Sequence, residues 1–170
     1  LFEAAIQGIL SKNPKGLILD LRNNPGGFLE VGVEVASQWI PDSKVVVTQE
    51  AQDGTRQEFR AAGNARFAGI PTVVLVNGGS ASAAEIVAGA LQDYNAAQLI
   101  GEKTFGKGSV QTFEPLRGGS SVKITVAHWL TPKGRQINGT GIAPDIEVKM
   151  GKDDYENDKD PQLKKAMELF

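Results

Sequence analysis

Apolar residues along this chain follow two alternating periods, and each switch between them marks an element boundary. Residues 1–11 place Leu1, Phe2, Ala5, Ile6 and Ile9 at helical spacing and stop at Asn13-Pro14. Lys15 to Arg22 carries a short continuous apolar run, the pattern of a strand covered on both faces. After the turn Asn23-Asn24-Pro25-Gly26-Gly27, helical spacing resumes at Phe28, runs to Trp39 and ends before Pro41. Val45–Thr48 reads as a second strand, and residues 49–69 as a polar, glycine-dotted excursion with a weak strand at Arg56–Arg60. Thr72–Val76 predicts a third strand and Ala83–Tyr94 a helix; Ala97–Ile100, Val110–Phe113 and Val122–Ala127 predict further strands. Lys152–Asp160 reads as a charged linker, after which Pro161 opens a short amphipathic helix with Leu163, Ala166, Met167 and Phe170 on one side. Leu1 falls inside a helical pattern, so sequence upstream of it is expected.

Strands alternating with helices imply parallel pairing through right-handed crossovers, hence an α/β fold whose mixed, largely parallel sheet is flanked by helices. The strand-to-turn-to-helix junctions at Gly26-Gly27 and at Gly79–Ser82 would lie on the carboxyl edge of that sheet, where such folds hold ligands. No internal repeat is visible. At 170 residues, 41% hydrophobic and 22% charged, the chain has the composition of a globular domain with one sizeable core. Its net charge of −2 argues against a nucleic-acid or anionic-membrane surface. It has no apolar run of the ~18–20 residues a membrane helix requires. The absence of cysteine excludes thiolate chemistry, and a single histidine leaves little for imidazole chemistry.

These exclusions turn attention to Ser82 and Lys107. A serine hydroxyl is a poor nucleophile until a base takes its proton, and a desolvated, uncharged lysine can be that base. Each residue also has a plainer reading. Ser82-Ala83-Ala84-Glu85 fits a helix capping box, and Ser80 could equally be the cap. Lys107 fits a solvent lysine in a glycine turn. Gly101-x-x-x-x-Gly106-Lys107 nearly completes a phosphate-binding loop, but residue 108 is glycine where that loop needs Ser or Thr, and a strand rather than a helix follows. Glycines before Ser82 permit close backbone approach, and N–H groups at a helix start can hold an oxyanion. His128 lies in an alternating strand beside Trp129, the setting of an ordinary half-exposed histidine. The acidic run Asp153, Asp154, Glu156, Asp158 and Asp160 lacks the glycine turn of a calcium loop and reads as solvated.

Several strings together resemble a known family: Leu19-Asp-Leu-Arg-Asn-Asn-Pro-Gly-Gly, Gly79-Ser-Ala-Ser-Ala-Ala-Glu-Ile, Leu91-Gln-Asp-Tyr and Gly101-Glu-x-Thr-Phe-Gly-Lys-Gly-x-Val-Gln. Thr131-Pro-x-Gly-Arg-x-Ile and Gly141-Ile-x-Pro-Asp-Ile-x-Val extend the match. Over roughly residues 1–150 the chain resembles the catalytic core of the carboxyl-terminal processing peptidases, the tail-specific proteases, with residues 151–170 as a linker and short helix. The resemblance implies a core like that of the crotonase and Clp-protease folds. It implies Ser82 as nucleophile, Lys107 as general base and Gln111 orienting the lysine; even separation on a strand permits the last pairing. It also implies an oxyanion hole from Ala83 and from Gly26 or Gly27, and a supporting role for Asp93, whose plain alternative is a residue of a surface turn.

The implied substrates are polypeptides with exposed C-termini, cut by an endopeptidase without metal or cofactor. The implied location is outside the cytoplasm, in a bacterial envelope or thylakoid lumen. Family members carry a PDZ domain and assembly segments that this stretch lacks, so homo-oligomerisation would run through regions outside it. The alternative function is a catalytically silent peptide-binding scaffold of the same fold.

Overall fold

The computed structural model describes residues 2–170, so Leu1 of the first helical pattern lies outside the described residues. In chain order the elements are α1 (Phe2–Leu10), β1 (Leu17–Asp20), α2 (Leu29–Ala36), β2 (Val45–Ala51), β3 (Arg56–Arg60), β4 (Thr72–Val76) and α3 (Ala83–Asp93). They continue with β5 (Gln98–Gly101), β6 (Ser109–Pro115), β7 (Ser121–Leu130), β8 (Ile146–Glu147), α4 (Lys152–Glu156) and α5 (Pro161–Met167).

Two four-stranded sheets form. One is parallel, in the order β1-β4-β5-β8. The other is antiparallel, in the order β3-β2-β7-β6, so the mixed pairing expected of the α/β fold is divided between two sheets. The reason lies in the connections: β2–β3 and β6–β7 are joined by tight turns, the latter closed by Leu116 N donating to Ser120 O at 2.8 Å, and a tight turn forces antiparallel neighbours. The strand expected at Arg56–Arg60 forms as β3 and pairs with β2, which itself runs on into the first residues of the 49–69 excursion.

Every residue of β4 is buried. Val74 and Val76 face the main core with Ile6, Ala36, Ile86, Leu91 and Leu99, while Val73 and Leu75 face a smaller cluster with Ile100 and Ala166. The parallel sheet is thus covered on both faces, which is why β1 and β4 read as unbroken apolar runs. Among the described residues no helix is long and apolar enough to cross a membrane.

The C-terminal segment departs from its expected form twice. Lys152–Glu156 is a helical turn rather than plain linker, capped by Gly151 N donating to Asp154 Oδ2 at 2.8 Å, with acidic residues in its first turn. In α5 the buried residues are Gln162 and Ala166, whereas Leu163 and Met167 are exposed. The helix therefore docks on a different face from the one its apolar residues suggest. Gln162 is fully buried because its amide donates to Val148 O at 2.8 Å and its carbonyl accepts from Arg22 at 3.1 Å.

Candidate active site

β4 ends in a turn that delivers Ser82 to the start of α3 with φ 55° and ψ −121°, a conformation costly for any residue with a side chain. Such strained strand-to-helix turns are how α/β hydrolases lift a nucleophilic serine clear of the sheet. The capping box forms in half: Ser82 N donates to Glu85 Oε2 at 2.9 Å, but the serine side chain makes no cap hydrogen bond. Among the described residues the Ser82 hydroxyl has no hydrogen-bond partner. Ser80 is fully buried; its Oγ donates to Leu21 O at 2.7 Å and accepts from Asn77 N at 3.0 Å, a turn-building role.

The two glycine turns interlock. Asn23 N donates to Asn77 Oδ1 at 2.9 Å, Asn77 Nδ2 returns a bond to Asn23 Oδ1 at 3.0 Å, and Ala81 N donates to Asn24 O at 2.9 Å. Gly26, at φ 98°, touches the serine turn so closely that a Cβ there would lie 2.8 Å from both Ser82 Cβ and Ala83 N. Gly26 N is engaged, donating to Asn24 Oδ1 at 2.9 Å. Among the described residues Gly27 N and Ala83 N have no acceptor. Gly26→Ala is therefore expected to lower stability by about 2 kcal/mol and to displace Ser82, while Gly27→Ala, whose Cβ meets nothing within 4 Å, leaves the melting temperature nearly unchanged. Thermal unfolding of the two variants checks this; equal melting temperatures would contradict it.

Glu85 is legible in the sequence only as a capping residue, yet it joins both halves of the site. It is fully buried. Oε1 accepts from Thr104 Oγ1 at 2.5 Å and Gly106 N at 2.7 Å; Oε2 accepts from Lys107 N at 2.8 Å and Ser82 N at 2.9 Å. One carboxylate oxygen thus binds the backbone of both the serine and the lysine.

Lys107 sits in the irregular segment before β6, so no helix follows it and the phosphate-loop geometry is absent. Its side chain is exposed, as in the plainer reading of a solvent lysine in a glycine turn, and among the described residues Nζ has no ion-pair or hydrogen-bond partner. Gln111 is also exposed, and its amide donates to Thr125 Oγ1 at 3.4 Å rather than to Lys107. The even-spacing argument fails because Lys107 precedes the strand and a register shift falls between Val110 and Gln111.

Asp93 ends α3, about 16 Å of helical rise from Ser82. It is buried, accepting from Lys133 N at 2.8 Å and from Arg135 at 2.5 Å, and so holds the turn after β7 rather than touching Ser82. His128 pairs across strands with Ser109 and Glu50, and its Nδ1 is buried without a partner. Among the described residues no cluster of His, Asp or Glu could hold a metal ion.

A cleft of about 110 Å³ opens beside the serine turn, lined by Leu21, Gly27, Val31, Val35, Ala84 and Val87 among others. A larger hollow of about 620 Å³ lies at the other end of the strands, near Thr72 and Gln98, and contains none of the serine or lysine residues.

The model of peptidase family S41 matches residues 1–148. A carboxyl-terminal-processing protease of Synechocystis sp. is 48% identical over 144 residues, covering 85% of this chain and 33% of that protein. The carboxy-terminal processing protease CtpA of Bacillus subtilis is 44% identical over 146 residues, covering 86% of this chain and 31% of that protein. The structure of a photosystem II D1 C-terminal processing protease superposes with a TM-score of 0.80 at 42% identity, covering 86% of this chain and 39% of that one. The chain spans about a third of the length of the curated relatives it matches. By sequence and by fold, this chain belongs to peptidase family S41, among the carboxyl-terminal processing proteases.

Proposed function

We propose that this domain is a serine endopeptidase that cleaves polypeptides near exposed C-termini through an acyl-enzyme, with Ser82 as nucleophile and Lys107 as general base. The observation that carries the reading is Ser82 itself: a strained residue with an unclaimed hydroxyl, beside two N–H groups that have no acceptor among the described residues.

In the first step the neutral Lys107 amine takes the Ser82 proton as Oγ bonds to the scissile carbonyl carbon, and the carbonyl oxygen becomes an oxyanion held by Ala83 N and Gly27 N. Collapse breaks the C–N bond while Lys107 returns the proton to the leaving amine. Water then attacks the ester, Lys107 again accepting the proton, and the carboxylic product leaves as Oγ is reprotonated. A peptide lying across the serine turn would cover the exposed lysine and favour its uncharged form by desolvation. Gln111 would orient Lys107 only after giving up its bond to Thr125. Asp93 acts at a distance, by holding the 131–135 turn.

The apolar cleft at Val31, Ala84 and Val87 suits an aliphatic side chain next to the scissile bond. We place the site of action outside the cytoplasm, in an envelope or lumen; an Arabidopsis relative, 40% identical, is named chloroplastic. A fluorophosphonate probe tests the reading, since only an activated serine reacts: the adduct is expected on Ser82 and absent in Ser82→Ala, and a chain that takes no adduct is a silent scaffold.

A further inference from the structure

The tail helix α5 lies beyond the residues the family model matches, yet it reaches the turn next to the site. Arg22 stands between β1 and the first glycine turn, with a side chain only 16% exposed. On one side it binds Asp20 at 2.6 Å. Burial pushes the Asp20 carboxyl up, but hydrogen bonds from Arg22 outweigh that and leave it below the ordinary aspartate range. On the other side Arg22 binds Asp160 at 2.8 Å and Gln162 at 3.1 Å.

Neither tail residue is free to drift. Asp160 caps α5 by accepting from Leu163 N at 2.8 Å, and Gln162 is anchored to Val148 O. The far end of the tail is pinned as well, since the Phe170 ring packs on Gly16, where a Cβ would lie 2.2 Å from the ring. From Arg22 the chain runs directly into Asn23, Asn24, Gly26 and Gly27, the turn locked against the serine turn.

We propose that α5 is a positioning element of the site: through Asp160 and Gln162 it fixes Arg22, and Arg22 fixes the Gly26–Gly27 turn relative to Ser82 and Ala83. Docking of the tail then sets the oxyanion-binding geometry, and its release loosens that geometry while leaving the Glu85 bridge between Ser82 and Lys107 intact. The positioning role rests on the reading of Gly27 N and Ala83 N as oxyanion donors; the coupling itself does not.

The test is the backbone amide spectrum of the whole chain, with and without the double change Asp160→Asn and Gln162→Leu. Gly27 and Ala83 amides are expected to shift while the Lys107 amide stays in place, and probe labelling of Ser82 is expected to slow roughly tenfold, as misplacement of reacting groups does. If α5 undocks entirely in the double variant and those two amides do not move, the coupling is wrong. If they move and labelling keeps its native rate, the tail does not position the site. A native chain that takes no label removes the serine-peptidase reading, while the amide shifts still decide the coupling.

Discussion

Glu85→Ala is expected to lower stability by about 3 kcal/mol, roughly 10 °C in melting temperature, and to abolish reaction at Ser82. The carboxylate is fully buried and satisfies four donors, three of them backbone N–H groups in two separate loops. Truncation leaves those donors unpaired in the interior, the costly arrangement for a polar group. Glu85→Gln makes the sharper test because it preserves shape. An amide offers an acceptor to one pair of donors and an N–H₂ to the other, so either the Thr104–Gly106 pair or the Ser82–Lys107 pair meets a second donor. The glutamine substitution is therefore expected to lose most of what the alanine substitution loses. Native melting temperature and native reactivity in Glu85→Gln would show that the bridge contributes little.

The second large effect concerns Lys107. Lys107→Ala is expected to leave the melting temperature unchanged, because the side chain is exposed and its backbone bond to Glu85 survives the substitution. Turnover should fall by at least about 10²–10⁴, the range a general base supplies. Lys107→Arg separates charge from proton transfer: a guanidinium keeps the positive charge but does not give up its proton, so it should be as inactive as alanine. Activity retained in the arginine variant would mean that the residue acts by charge alone. Both variants are read by peptide cleavage alongside thermal unfolding.

The helices and the parallel strands are legible in the sequence because their apolar period is set by what they pack against. Thr72–Val76 is buried on both faces and shows no alternation, and Ala83–Asp93 presents Ile86, Ala90 and Leu91 to the core. Ser82 is legible for the same reason, as the residue where a strand period gives way to a helix. The antiparallel sheet is harder to read, because β2 pairs with β7, a partner far along the chain that no local period announces. Ile146–Glu147 is too short to carry a period.

The role of Glu85 is invisible locally, since its partners Thr104, Gly106 and Lys107 are distant in sequence and meet it only through the fold. The buried face of α5 escapes a hydropathy reading because a glutamine, Gln162, is more deeply buried than the neighbouring leucine. Its hydrogen bonds to Arg22 and Val148 make that possible, and no hydropathy pattern contains them. Spacing alone would bring Lys107 and Gln111 to one face, but Lys107 lies in the irregular segment before β6, a register shift falls at Val110, and Gln111 bonds Thr125 instead.

The central claim is that Ser82 is a nucleophile activated by Lys107, and the most direct measurement of it is the rate and position of fluorophosphonate labelling, read by intact mass and peptide mapping. One adduct on Ser82 is predicted, with no adduct in Ser82→Ala or Lys107→Ala. An adduct on Ser80, or a labelling rate in Lys107→Ala equal to that of the native chain, would contradict the account.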